Sequence, residues 1–377
     1  MKILDLIPDY VKSLPDYVPG KLSEDVAEEL GLPKVIKLAS NENCLGPSPK
    51  AVEAIAQALS GLARYGDASS RRLRQALAES LDISPDCILA GNGSSEFLVL
   101  MSHVLLGPGL SAVMSKPSFT LYASNAQATG AKPVEIPVTK KFGHDLEAML
   151  SKVDCFTRLV FLDNPLNPTG AWLSATQIRN FLASLPKYCL LILDEAYVDF
   201  SRQPRPDYQE LLNGGRVAIL RTFSKSHGLA GLRVAYLLAH PDLIANLNKI
   251  RQPFNLNVLA QVGALAALTD REHLENSKKT TWASLDFLAE QLPLLGLPVS
   301  PTEANFIMAG PTPLGANVLE KALLHKGIIV RSLSSFGLPG HIRISAGLPA
   351  ENRALIKALE QINRIPPKDL KKTFNIS

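Results

Sequence analysis

Residues 216–239 read RVAILRTFSKSHGLAGLRVAYLLA. Two short apolar runs, RVAIL at 216–220 and VAYLLA at 234–239, bracket a polar, glycine-containing stretch. Runs of this length that are apolar on both faces suit strands covered by helices on each side. Between them lies Lys225, among small and hydroxylated neighbours, where a depressed pKa makes a lysine an amine nucleophile. Taken alone, a lysine is far more often a solvated surface charge. The order of motifs around it decides between the two readings.

Working outward, the same kind of run recurs: CILA at 87–90, SAVMS at 111–115, RLVFLD at 158–163 and YCLLILD at 188–194. Stretches with helical spacing separate them, such as SATQIRNFLASL at 174–185, and LSEDVAEELG near the N-terminus ends on Gly31. Strands alternating with helices predict an α/β fold with a mostly parallel central sheet. From about residue 265 the pattern changes. A charged helical stretch, TDREHLENSKKTTWASLDFLAEQL, leads into the short runs GLPVS, NFIMAG, GIIVRS and HIRISAG. The expected division is an N-terminal segment (1–40) packing with the small domain, a large domain (41–265) and a smaller α/β domain (266–377).

In an open parallel sheet, ligands bind beyond the carboxyl ends of the strands. After CILA comes GNGSSE (91–96), a glycine turn leading into a helix, which suits phosphate but also suits a plain helix start. It lacks the third glycine of a dinucleotide fingerprint. After RLVFLD comes NPLNPTG (164–170), a tight turn. After YCLLILD come Asp194, Glu195, Ala196 and Tyr197. An acid ending a buried strand is costly without a positive partner, either a structural arginine or the ring nitrogen of a cofactor. Asn-Pro, Asp194, Lys225 and Arg233 thus follow successive strands on one edge of one sheet.

Bulk composition narrows the function classes. With 377 residues, 46% hydrophobic and 20% charged, the chain can bury two domain cores. A net charge of +4 without clustered basic patches argues against nucleic acid, the densest group being Arg71, Arg72 and Arg74 on one helix face. Cys44, Cys87, Cys155 and Cys189 form no metal or disulfide spacing, so no metal is expected. Asp5, Pro8 and Asp9 break up the first residues, so no secretory signal is expected, and no run reaches the ~20 apolar residues of a membrane helix. A cytoplasmic location is the expectation.

The motifs PDYVPGKLSEDVAEELG, SNENCLGPSP, RYGD, GNGSSE, NPLNPTG, DEAYVDF, TFSKSHGLAGLRVAY, IRQPFNLNVLAQ, ANF and GIIVRS…HIRISAG run from about residue 16 to 347. Together they resemble the fold-type I aminotransferases that use pyridoxal phosphate (PLP), and within them the histidinol-phosphate aminotransferase family. The resemblance implies a large domain with a mostly parallel sheet flanked by helices plus a smaller α/β domain. It implies that Lys225 carries the cofactor as a Schiff base and that Asp194 keeps the pyridine nitrogen protonated. Asn167 and Tyr197 match groups on the cofactor's phenolic oxygen. Ser94, Ser95, Ser224 and Arg233 match the phosphate cradle, with Thr222 a further candidate. Phe119 matches the aromatic residue on the ring face; its bland alternative is a core residue. Tyr65 matches a tyrosine that reaches the partner subunit's cofactor, which implies a homodimer with shared active sites.

For substrate, Arg343 and Arg331 match arginines that bind anionic groups, for which the planar guanidinium fork suits carboxylate and phosphate. Tyr17 and Asn43 match further contacts near the pocket mouth. The resemblance implies histidinol phosphate and glutamate/2-oxoglutarate as substrates, in histidine biosynthesis. An aromatic amino-acid aminotransferase and a PLP-dependent phospho-amino-acid decarboxylase are the alternatives. The chain departs from the family pattern at Gly66 (often Pro), Ser95 (often acidic), Leu166 (often Asn) and in SKSHG, and none of these removes a catalytic group.

Overall fold

The structure is a computed structural model and describes residues 2–16, 22–366, 369, 373 and 374. Its centre is a seven-stranded sheet. In chain order the strands are β1 (Ile88–Gly91), β2 (Ser111–Lys116), β3 (Lys132–Pro137), β4 (Thr157–Asp163), β5 (Leu190–Asp194), β6 (Val217–Thr222) and β7 (Ala235–Ala239). Their spatial order is β1-β7-β6-β5-β4-β2-β3. Only β7 runs against its neighbours. The expected mostly parallel α/β sheet is therefore present.

Side chains alternate between two cores, one on each face of this sheet. Val160, Leu162, Leu191 and Leu193 enter one core. Leu159, Phe161 and Ile192 enter the other. This two-sided burial is the physical reason the strands read as continuous apolar runs. Strand β3 escapes such a reading because KPVEIP contains Pro133 and Pro137 and is largely uncovered. Proline cannot donate to a ladder, and β3 tolerates it because it lies at the sheet edge.

Helix α1 (Ser94–Leu105) leaves the end of β1, and α2 (Leu121–Ala128) follows β2. The stretch at 174–185 forms the expected helix, opened by a capping box between Ser174 and Gln177. Gly31, in the left-handed region at φ 61°, closes the early helix Ser23–Leu30.

A further core gathers Leu285, Leu288 and Leu292 of the long helix α3 (Arg271–Leu294) with Ile307, Ile342 and Ile344. It packs on a three-stranded sheet of β8 (Phe306–Ala309), β9 (Arg331–Ser332) and β10 (Ile342–Ser345), ordered β9-β10-β8. Leu38 joins this core, and Ile36–Lys37 pair in parallel with Ile328–Ile329. GLPVS, read as a strand, contributes only one bridge, Val299 to Ala309.

Candidate active site

The carboxyl ends of β4, β5 and β6 open into a cavity of about 560 Å³. Asp163 and Asp194 are its floor, being the last residues of two adjacent strands. Lys225 enters from the loop after β6; its Nζ donates to the Ser40 carbonyl at 3.3 Å and lies 5.5 Å from the centre of the Tyr197 ring. Burial pulls the Lys225 amine down to about 8, with the Arg343 charge helping and Glu42 opposing. Burial raises Asp194 to about 6, against the Tyr122 hydroxyl at 2.9 Å, the Ala196 amide at 3.0 Å and the charge of Lys225.

The loop bearing Lys225 is pinned from behind. Arg221 donates to Asp199 at 2.6 Å, and Ser226 donates to the other oxygen of the same carboxylate at 2.5 Å. Burial alone would raise the Asp199 carboxyl, but Arg221 and Arg205 draw it well below the usual range. The Tyr208 hydroxyl accepts from Arg221 at 2.9 Å and donates to Glu195 at 2.7 Å. The loops after β5 and β6 are thereby tied to one another, which holds Asp194 and Lys225 in a fixed relation.

One cavity wall is an anion cradle. By position, the first-turn N–H groups of Ser94 and Ser95 lack an intrahelical acceptor, and among the described residues no side chain caps α1. Gly93 sits at φ 79°, and a β-carbon there would collide with the guanidinium of Arg233, so glycine lets that cation lie over the helix start. Ser224 completes the wall, accepting from Thr222 at 2.9 Å and from Arg233 at 3.5 Å. Across the cavity, Asn167 accepts from Arg343 through its amide oxygen. Its Nδ2 has no acceptor among the described residues and remains a donor. Tyr197 accepts from Asn41 Nδ2 at 3.0 Å, which leaves its own hydroxyl hydrogen to donate. Phe119 lines the cavity and meets Tyr122 edge to face, ring centres 5.6 Å apart.

The site therefore brings together Lys225, Asp194, Tyr197, Asn167, Phe119, Ser94, Ser95, Thr222, Ser224 and Arg233. Four expected residues stand elsewhere. Tyr65 is 83% exposed and stacks on Phe254 at 4.5 Å. Arg343 abuts the cavity through Asn167, and Arg331 is its direct partner across β9 and β10. Asn43 is not on the cavity: its Nδ2 donates to the Ser226 carbonyl and to Ser277 Oγ, both at 2.8 Å, so it serves as a tie between segments. Tyr17 lies outside the described residues.

Sequence reading missed Asp163, Tyr122 and Asn41. Asp163 carried the same signal as Asp194, an acid ending an apolar run. Tyr122 sits one helical turn beyond Phe119 in PSFTLY. Asn41 has no local signal, because its partner Tyr197 is distant in the chain.

The residues fit pyridoxal phosphate group by group. An acid stands ready for a ring nitrogen, two donors for a phenolic oxygen, a cationic helix start for a phosphate, an aromatic face for the ring and an amine for an aldehyde. The Lys225 amine itself can be tested. Reaction of Lys225 with a small amine-selective reagent in the cofactor-free protein, read by peptide mass spectrometry, is expected to rise with pH about a midpoint near 8, against 10.5 for an ordinary lysine. The neutral amine is the reactive form, so a lowered pKa exposes it at lower pH. A midpoint shared with surface lysines would contradict the buried setting.

A half-buried lysine and a buried aspartate at the carboxyl edge of a mostly parallel sheet, beside a phosphate cradle, define a PLP-type transferase. The chain belongs to the class I and II aminotransferase family, whose profile matches residues 33–359. Within it, the chain is similar to histidinol-phosphate aminotransferases. It is 42% identical to histidinol-phosphate aminotransferase 2 of Pseudomonas fluorescens strain Pf0-1 over 93% of this chain and 96% of that one. It is also 42% identical to the histidinol-phosphate aminotransferase of Akkermansia muciniphila, over 96% and 100%. Among solved structures it resembles histidinol-phosphate aminotransferase from Sinorhizobium meliloti in complex with pyridoxal-5'-phosphate, at a TM-score of 0.87 and 30% identity, over 95% and 97% of the two chains. The family resemblance read from the motifs is borne out.

Proposed function

We propose that this aminotransferase uses pyridoxal phosphate to interconvert imidazole acetol phosphate plus L-glutamate with L-histidinol phosphate plus 2-oxoglutarate. The observation that carries the choice of substrate is the register of two arginines. Arg331 and Arg343 are direct cross-strand partners, and Arg343 reaches the cavity edge through Asn167. Two guanidiniums in that relation concentrate positive charge, which suits an anionic group of the substrate. A phosphate in one half-reaction and a carboxylate in the other supply that anion, and guanidinium binds both bidentately.

Bound pyridoxal phosphate supplies an aldehyde that joins amino groups and a protonated ring that accepts the electron pair left on the substrate Cα. Asp194 would hold the ring nitrogen, Asn167 and Tyr197 the phenolic oxygen, and Ser94, Ser95, Ser224 and Arg233 the phosphate. The Lys225 amine, once free, moves the proton at the substrate Cα. Its depressed pKa suits both accepting and returning that proton near neutrality.

The same reading extends to assembly and location. Tyr65, exposed in the single chain, supports a homodimer in which it completes the partner's phosphate site. The separate cores support a large and a small domain, with Leu38 of the N-terminal segment in the small-domain core; the large-domain core runs on to Ala267 in the helix Val258–Thr269, past the boundary expected at 265. Among the described residues no helix is long and apolar enough to cross a membrane, and no cluster of His, Cys, Asp and Glu could hold a metal. We place the enzyme in the cytoplasm.

Purified protein with histidinol phosphate and 2-oxoglutarate is expected to form glutamate faster than with phenylalanine as donor. Arg331→Ala is expected to raise KM for histidinol phosphate about 10- to 100-fold, the worth of one charged hydrogen-bonded contact, and to change KM for phenylalanine far less. A preference for phenylalanine in the unaltered enzyme would instead assign it to the aromatic amino-acid aminotransferases.

A further inference from the structure

Two buried carboxyl groups face the cavity. Asp163 and Asp194 are direct Cα partners at the ends of β4 and β5, and they are only 3% and 5% exposed. Two carboxyls side by side in so dry a place do not both ionise, and the proton settles on the one with less support. Asp194 has the support of the Tyr122 hydroxyl, the Ala196 amide and the Lys225 charge.

Asp163 is held differently. Its Oδ2 accepts the Asn167 N–H at 2.9 Å. Its Oδ1 is buried with no hydrogen-bond partner among the described residues. The His144 ring stands beside it, with Nε2 3.7 Å from Oδ1. That ring meets the Asp163 backbone carbonyl at 2.9 Å through Nε2 and Ser115 Oγ at 2.7 Å through Nδ1. A carbonyl only accepts, so the ring hydrogen is on Nε2 and Nδ1 accepts from the serine. Burial lowers His144 to about 4, so it brings no positive charge. Burial pushes Asp163 well above the usual carboxylate range, with the backbone amides of Asn167, Asp163 and Phe119 opposing and the Asp194 charge adding to the push. The remaining titratable groups facing this pair are the hydroxyls of Tyr122 and Tyr197, which are neutral, and Lys225, whose charge favours Asp194.

We infer that Asp163 is a positioning residue standing as a neutral carboxylic acid: one oxygen holds the Asn167 turn in place, and its neutrality leaves Asp194 as the one negative charge on the floor of the site. The inference rests on the reading of the cavity as a pyridoxal phosphate site, and it concerns a carboxyl distinct from the one assigned to the ring nitrogen.

The test uses the holoenzyme and its Asp163→Asn and Asp163→Ala variants. Asparagine has the shape of the neutral acid and keeps the carbonyl acceptor for the Asn167 N–H, whereas alanine removes it. By equilibrium dialysis, Asp163→Asn is expected to bind pyridoxal phosphate within about threefold of the unaltered enzyme, and Asp163→Ala about tenfold more weakly. The infrared difference between the unaltered enzyme and Asp163→Asn is expected to contain the carbonyl stretch of a protonated carboxyl. A loss in Asp163→Asn as large as in Asp163→Ala, an unweakened Asp163→Ala, or an absent carboxyl band would each overturn the inference. Where Asp163→Ala does not fold, as judged by thermal unfolding, the asparagine variant and the infrared band decide. Failure of the unaltered enzyme to retain pyridoxal phosphate would overturn the cofactor reading instead.

Discussion

Lys225→Ala is expected to lower transamination about a thousandfold or more and to abolish the visible absorption of lysine-bound cofactor. The size of the effect follows from what the amine does. Removal of a positioned general base costs about 10²- to 10⁴-fold, and in the proposed function the same group also anchors the cofactor. No other amine replaces it: the cationic groups nearest the cavity are guanidiniums, on Arg233 and Arg343, which do not give up a proton near neutrality. The fold should survive, because among the described residues Lys225 makes only one long hydrogen bond, to the Ser40 carbonyl. The loop stays pinned by Ser226 on Asp199. Thermal unfolding should therefore change little while single-turnover rates collapse. Retention of the visible band before substrate is added would remove Lys225 from its assigned role.

Asp194→Asn is expected to be the next most damaging change. Truncating one partner of a buried, hydrogen-bonded charge pair costs about 2–5 kcal/mol, or roughly 30- to 4000-fold in rate or affinity. The amide cannot balance a protonated ring nitrogen, so the electron pair left on the substrate Cα loses its sink. The Tyr122 hydroxyl and Ala196 amide, which now support a carboxylate, would face a neutral side chain. In the cofactor-free protein the sign reverses. A carboxyl raised to about 6 by burial takes up a proton on folding between the ordinary carboxylate range and pH 6. Folding stability contributed by that proton is present below the unfolded pKa and is lost as pH rises through about 6. Asp194→Asn should accordingly flatten the pH dependence of unfolding near pH 6 in the cofactor-free protein. A variant with full activity would show that another group holds the ring nitrogen.

Much of this arrangement was legible residue by residue. The strands that carry the site are buried on both faces, so their composition is extreme and their ends are sharp: 158–163 and 188–194 as read, against Thr157–Asp163 and Leu190–Asp194 as folded. The chemistry follows those ends at once, so Asp194 and Lys225 could be placed on one edge from order alone. Strand β3 hid because an edge strand covered on few sides tolerates proline and polar residues. Asp163 was quoted within its strand and passed over, although the rule applied to Asp194 applies equally to it.

The chain's local patterns determined the α/β class, the sheet edge that bears the cavity and the lysine proposed as its anchor, because each depends on residues adjacent in sequence. Tertiary structure decided what crosses between distant segments. It set Asp163 beside Asp194 and Arg331 opposite Arg343 through strand register, which apolar patterning leaves open in strands buried on both faces. It also turned Asn43 away from the cavity into a tie on Ser226 and Ser277, and gave Asn41 the contact with Tyr197. Hydrogen bonds between residues more than a hundred positions apart follow from how distant loops and helices pack, and no neighbouring residue announces them.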